Sequence, residues 1–157
     1  MKKSVYLDTT IPNFLFDRRE SVQFQRGLTW KWWETEAQNY VILISDYTIW
    51  ELEAGQYPHK TEALKFVSSL SVLPPDPEIE EIANVYVSHY LMPRSLQGDA
   101  MHLACASFYK IDFLLTWNCN HLANGNKKQH IRRVNTMLNL NVPEILTPLE
   151  LFAEVEP

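Results

Sequence analysis

The sequence is short of the residues that mark several protein classes. It has 157 residues with only 4 glycines and 2 cysteines. So few glycines, beside 46% apolar and 12% aromatic residues, exclude a fibrous or disordered chain and predict one domain with a sizeable core over residues 1–157. Cys105 and Cys119 have no CxxC partner and no second pair, so two free thiols in a reducing compartment are expected rather than a disulfide framework or a zinc site. No apolar run approaches the ~20 residues of a bilayer span. An acid at position 8 interrupts the N-terminus before a signal-peptide core can form. No membrane association and a cytoplasmic location are therefore expected. Positive charge is also scarce, with 14 Lys and Arg against 19 Asp and Glu. A general basic surface for nucleic acid is excluded, whereas an acidic pocket that holds cations is permitted.

What is present is alternation. Short apolar runs end at breakers or polar clusters: Ser4–Leu7 before Asp8, Val41–Ile44 before Ser45-Asp46, Val72-Leu73 before Pro74-Pro75, Ile111–Thr116 before Trp117-Asn118, and Glu144–Thr147 before Pro148. Each is short enough to be a strand. Helical patterns lie between them. Phe24, Leu28 and Trp32 form one apolar stripe, Thr48–Ala54 follows the second strand, and Ala63, Phe66, Val67 and Leu70 mark another helix. Pro77 is placed to open a helix that buries Ile79, Ile82, Ala83 and Tyr86. Asp99–Lys110 is apolar nearly all round, and Ile131, Val134 and Leu138 stripe the last helix. Strand–helix alternation predicts an α/β fold with a mainly parallel sheet.

In such sheets ligands bind beyond the carboxyl ends of the strands. Asp8 ends the first predicted strand, Glu51 lies on the helix after the second, Asp99 opens the buried helix, and Asn118 follows the fourth strand. Each has a plain structural reading: Asp8 and Asp99 as helix N-caps, Glu51 as a solvated helix residue, Asn118 as a turn residue. Their convergence is what carries chemistry. Two carboxylates ~4 Å apart repel by about 4 kcal/mol at an effective dielectric of 20. Oxygen donors with no Cys/His cluster suit Mg²⁺ or Mn²⁺, the cations of phosphate chemistry.

Val5-Tyr-Leu-Asp8-Thr-Thr, Ser45-Asp-Tyr-Thr-Ile-Trp-Glu51-Leu, Gly98-Asp99-Ala-Met-His-Leu-Ala-Cys-Ala and Leu114-Leu-Thr-Trp-Asn118-Cys-Asn-His resemble, in order and spacing, the successive motifs of PIN-domain proteins, a group that includes VapC-type toxins. Pro143–Leu151 resembles the closing strand and helix of that domain. The resemblance implies a three-layer α/β/α fold with sheet order 3-2-1-4-5. It also implies a metal-dependent endoribonuclease, the toxin of a type II toxin–antitoxin pair, with Mg²⁺ or Mn²⁺ as cofactor and 5′-phosphate, 3′-hydroxyl products. Asp8, Glu51 and Asp99 match the family's first three acids and are the expected metal ligands; Glu53 is the fallback for Glu51. The fourth acidic position falls on Asn118, which brings an amide oxygen and no charge, so one tight metal site is expected and a second, weaker one.

The expected reaction is in-line hydrolysis of a phosphodiester, with Asp8 and Asp99 holding the metal, Glu51 holding it or accepting a proton, and Thr9, Thr116 and Asn118 orienting groups around it. His102, one helical turn after Asp99, is a candidate partner of a ligating carboxylate; His121 has no matching zinc spacing. Lys127, Lys128, Arg132 and Arg133 form the densest basic stretch and are candidate RNA contacts, with a solvated helix face as the alternative. Trp30 falls off the Phe24–Leu28–Trp32 stripe, so this aromatic segment is expected to meet an antitoxin, a second copy in a homodimer, or the core. The competing reading keeps the PIN fold as an RNA-binding or regulatory domain without turnover. A haloacid-dehalogenase relative is excluded by Thr10, where that chemistry needs a second acid, and a receiver domain by Pro148, where a lysine is required.

Overall fold

The computed structural model describes residues 1–89, 91–92 and 97–153. Five strands, β1 (Ser4–Leu7), β2 (Val41–Ser45), β3 (Ser71–Leu73), β4 (Phe113–Leu115) and β5 (Glu144–Leu146), pair in the order β3-β2-β1-β4-β5, all parallel. The predicted order is therefore observed, and each strand lies where an apolar run meets its breaker. Parallel strands need crossovers, which are supplied by α1 (Thr10–Phe16), α2 (Gln23–Thr35), α3 (Asp46–Ala54), α4 (Lys60–Val67), α5 (Pro77–Ser88), α6 (Gln97–Phe108) and α7 (Gly125–Met137). The seven helices and the parallel sheet form an α/β/α fold.

Two apolar clusters flank the sheet. One packs Tyr86 of α5, Leu103 of α6 and Val134 of α7 against Tyr6 and Leu114; the other packs Ile11, Trp32, Leu52 and Val67 against Val5, Leu7 and Leu115. Alternate residues of β1 thus point to opposite layers, as a strand covered on both faces requires. Asp76 caps α5 through the Glu78 amide (2.9 Å) with Pro77 in the first turn, and Asn124 caps α7. A buried triad of Tyr86, Ser107 and Asn135 ties α5, α6 and α7 together, with Tyr86 Oη donating to Asn135 Oδ1 at 2.6 Å.

Two expectations are corrected and one open reading is resolved. Phe24, placed on the buried stripe of α2, is 67% exposed, and only Trp32 of that stripe is fully buried. Trp30, which a lone helix would expose and for which core packing is one of the open readings, is half-buried because α1 covers it: its Nε1 donates to the Leu15 carbonyl at 2.6 Å and its ring meets Phe16 edge-on. A helix dihedral of 100° per residue does not anticipate a second helix arriving on its flank. The closing helix expected after β5 is, within the described residues, a single 3-10 turn at Pro148–Glu150 capped by Thr147 and Glu150.

Candidate active site

Asp8 stands immediately after β1 and is 1% exposed. Its carboxylate is held by two hydroxyls and an amide. Thr10 donates to Oδ1 from both its backbone N–H (3.0 Å) and its Oγ1 (2.5 Å), and Thr116 Oγ1 donates to Oδ2 at 2.5 Å. Each hydroxyl also accepts an amide of the turn after β4: Trp117 N–H bonds Thr10 Oγ1 and Asn118 N–H bonds Thr116 Oγ1, both at 2.9 Å. The ends of the two central strands are thereby stitched together through one carboxylate. Of roughly two acceptor directions per oxygen, Oδ1 has both filled and Oδ2 keeps one. Burial raises the Asp8 carboxyl to about 6, against the opposing pull of His102 and the two hydroxyls; the neighbouring Asp99 charge adds to the rise.

The N-cap reading of Asp8 is thus realised in part, since its side chain does accept the first amide of α1. Asp99 is different: α6 begins at Gln97, so Asp99 lies inside the first turn and not at the cap. Burial raises its carboxyl too, and Glu51 adds to that; Asn118 Nδ2 donates to its Oδ2 at 2.8 Å. Asn118 Oδ1 in turn accepts the His121 amide at 3.1 Å. The amide in the fourth position therefore faces Asp99 with its nitrogen and the following turn with its oxygen.

Glu51 and Glu53 are both exposed on α3, but it is Glu51 that reaches the same cleft, where it bonds His102. Thr9 Oγ1 donates to Glu51 Oε1 at 2.9 Å, and His102 Nε2 bonds the same oxygen. Burial pushes the Glu51 carboxyl up, but the bonds from His102 and Thr9 outweigh it and hold it below its ordinary value. The carboxylate lies over Gly98: a Cβ there would stand 2.6 Å from Glu51 Oε2, so any other residue would have to displace the Glu51 carboxylate from this position.

His102 is fully buried, and its other nitrogen, Nδ1, lies 2.5 Å from Tyr6 Oη, which is 2.6 Å from Ser45 Oγ. Burial lowers the imidazole, but Glu51 first, then Asp8 and Asp99, raise it above its ordinary value. Tyr6 and Thr10 are the contributors that sequence reading did not single out. The only available signals were the hydroxyl two residues after Asp8 and a tyrosine at an inward strand position.

His102 is the residue these acids share: Glu51 bonds its Nε2, and the charges of Asp8 and Asp99 act on it. Asp8, Asp99 and Glu51 act on one another or on the common His102. Among the described residues, however, no group of three or more His, Cys, Asp or Glu side chains is arranged to hold a metal ion. Glu51 is turned onto His102 and Thr9 instead of completing a set with Asp8 and Asp99. The donor chemistry nonetheless fits a hard cation, because two sequestered carboxyls with raised pKa values are what a divalent ion relieves and oxygen is their only ligand type. Of the basic stretch, Lys127 Nζ is bound to the Leu91 carbonyl, Lys128 is half-buried, and Arg132 and Arg133 are exposed on α7. Cys105 is buried, Cys119 is exposed, and both are free thiols.

No curated protein matches the chain in sequence. Among solved structures, VapC20 of Mycobacterium tuberculosis, described as a sarcin–ricin loop cleaving toxin, superposes with a TM-score of 0.61 at 16% identity, over 78% of this chain and 95% of that one. A toxin–antitoxin complex from Klebsiella pneumoniae gives 0.57 at 20% identity, over 92% and 98% of the two chains. FitAcB from Neisseria gonorrhoeae gives 0.58 at 12% identity, over 94% and 99%. At these identities the likeness is one of fold. The PIN-domain family profile matches residues 5–121, a span that holds Asp8, Glu51, Asp99 and Asn118. The chain belongs to the PIN domain family.

Proposed function

We propose that this protein is a divalent-cation-dependent endoribonuclease and the toxin of a type II toxin–antitoxin pair. The observation that carries the reading is the sequestered Asp8 carboxylate, fixed by Thr10 and Thr116 and raised to about 6 beside Asp99. Burying two like charges in one cleft is costly for stability alone and useful for phosphate chemistry. Asp8 and Asp99 would hold the Mg²⁺ or Mn²⁺, with Glu51 as the third acid. A bound divalent ion supplies an activated water and neutralises charge on the scissile phosphate. Glu51, linked to His102, is the group suited to accept a proton from the attacking water. Thr9 orients Glu51, Thr116 orients Asp8, and Asn118 orients Asp99. Arg132 and Arg133, with Lys128, offer RNA phosphates a local and salt-sensitive contact; Lys127, tied to Leu91, contributes less.

An antitoxin partner is supported by the structural neighbours that are toxin–antitoxin complexes; a homodimer and a cytoplasmic location belong to the same reading. No described helix is long and apolar enough to cross a membrane. We also read residues 1–157 as one PIN unit, because β5, beyond the matched span, extends the same sheet.

The test is incubation of the purified chain with structured RNA and Mn²⁺, beside an EDTA control and the Asp8→Asn variant. Cleavage that needs both the cation and Asp8 supports the reading. Cleavage unchanged in Asp8→Asn removes this site from the reaction. The Asn118 amide on Asp99, in place of a fourth acid, favours the alternative of a PIN-fold RNA-binding or regulatory domain without turnover. RNA bound but uncut under these conditions would favour that alternative.

A further inference from the structure

Next to the acid cluster lies a cavity of about 580 Å³ whose lining includes Thr9 and Glu51 at one end and Arg18 and Arg19 at the other. Its size falls within the roughly 300–1,000 Å³ of pockets that enclose small ligands. One wall is aromatic and built to stay in place. The Tyr57 hydroxyl donates to the Leu52 carbonyl at 2.7 Å, and the ring rests against Gly55, where a Cβ would come within 2.9 Å of Cε1. His59 stands beside it with ring centroids 4.7 Å apart, its Nε2 bound to Asn13 Oδ1. Burial lowers the His59 imidazole, so it presents an uncharged ring at neutral pH. Leu52 and Phe16 complete the apolar lining.

Arg19 of this lining is held by the Asp17 carboxylate, Nη2 to Oδ2 at 2.6 Å, but two side-chain amides are not spent on the fold. Among the described residues, neither the Asn13 amide nitrogen nor the side-chain amide of Gln56 has a hydrogen-bond partner, while Asn13 Oδ1 is used by His59. One donor-only amide and one donor–acceptor amide, set beside a fixed aromatic ring, match the edge and face of a nucleobase. Unpaired bases are held this way, stacked on aromatic side chains and bonded along their edges. Arg18 pairs only with Glu62 at the surface (3.2 Å) and is 66% exposed, so its guanidinium can be taken over by a phosphate.

We propose that this cavity seats the unstacked base of the nucleotide adjoining the scissile phosphodiester. Tyr57 is its stacking wall, Asn13 and Gln56 read the base edge, and Arg18 meets the next phosphate. This assignment rests on the ribonuclease reading for its place in the reaction, but not for the binding itself. A peptide segment is the other occupant the lining admits; Arg18 and the free amides beside the Tyr57 ring favour the nucleotide.

The four ribonucleoside 5′-monophosphates, titrated singly into the full chain in EDTA and followed by ¹H–¹⁵N NMR, test it without any need for turnover. Saturable binding is expected, with shifts centred on Asn13, Gln56 and Tyr57 and one base favoured. Tyr57→Leu should weaken it roughly fivefold to a hundredfold, the loss of one base stack, while Tyr57→Phe, which keeps the ring but loses its tie to Leu52, should weaken it far less. Gln56→Ala should alter which base binds best. Absence of saturation by any of the four at about 20 mM, well beyond a weak millimolar site, overturns the proposal. So do shifts centred on α7 instead, or Tyr57→Leu binding as well as Tyr57→Phe in a folded chain. Nucleotide bound in this cavity with no RNA cut under Mn²⁺ would leave the pocket standing and remove the nuclease reading.

Discussion

Glu51 and His102, 51 residues apart in the chain, share a hydrogen bond at the cleft beside Asp8. It joins a partly exposed carboxylate to a fully buried imidazole, whose far nitrogen continues to Tyr6 and Ser45. With Nε2–H facing the carboxylate, a neutral His102 accepts from the Tyr6 hydroxyl, and a protonated one donates to it. Either state leaves Glu51, His102, Tyr6 and Ser45 hydrogen-bonded to one another in a line.

Tyr6→Phe removes the middle of that line and leaves His102 Nδ1 and Ser45 without their partner. A loss of about 1–3 kcal/mol is expected, read from urea denaturation. Activity should fall less than stability, because Glu51 keeps its bonds to Thr9 and His102.

The pH dependence of stability in EDTA follows from the raised groups. The Asp8 carboxyl titrates near 6 in the folded chain against 3.8 as its ordinary value, so between those values the folded state holds a proton that the unfolded state has released. Stability therefore falls as pH rises from about 4 through about 6, by up to about 3 kcal/mol. His102, also raised, contributes stability that is full below its unfolded value near 6.5 and is lost as pH climbs through its folded one. Both act in the same direction. The lowered Glu51 works oppositely, but only at more acid pH. Denaturation at pH 5 to 8 should show the decline, Asp8→Asn should flatten it, and Mn²⁺ should restore stability at the alkaline end.

Thr10→Val and Thr116→Val each take one hydroxyl donor from a buried carboxylate and also orphan one amide, Trp117 or Asn118. Each is expected to cost about 1–3 kcal/mol and to raise the Asp8 carboxyl further, measurable as a shifted ¹³C titration. Because both act on Asp8, the double variant should deviate from the sum.

Gly98→Ala places a methyl 2.6 Å from Glu51 Oε2. The carboxylate must leave His102 or α6 must shift. Cleavage should drop about tenfold or more, while thermal stability changes by only a few degrees. An unchanged rate would mean that the position of Glu51 is immaterial to the reaction.

Calorimetric titration of the EDTA-stripped protein with Mn²⁺ should show one tight site, since Asn118 brings no charge to a second. Asn118→Asp should strengthen the second site. Two equal tight sites in the parent chain would contradict the role given to the amide.

Much of this molecule is legible without coordinates. The five strands stand out because a parallel sheet buried on both faces needs short apolar runs, and Pro77 marks a helix start. The acids Asp8, Glu51 and Asp99 are legible too, through their positions at strand ends and in motifs of fixed order. Phe24 was misplaced, and Trp30 left open, because a single helix's periodicity carries no information about which neighbour arrives on its flank. Thr10 and Tyr6 went unread because a hydroxyl in a sequence does not reveal which acceptor it will meet.

The amino-acid order alone determined the alternation of elements, the parallel sheet and the set of acidic side chains at one edge, since all of these arise from local propensity and apolar pattern. Only the tertiary structure decided the orientation of each carboxylate: Asp8 toward Thr10 and Thr116, Asp99 toward Asn118, Glu51 onto His102 across Gly98. Hydrogen-bond partners come from segments up to 108 residues apart, and their directions are set by how strands and helices pack, which no local pattern encodes.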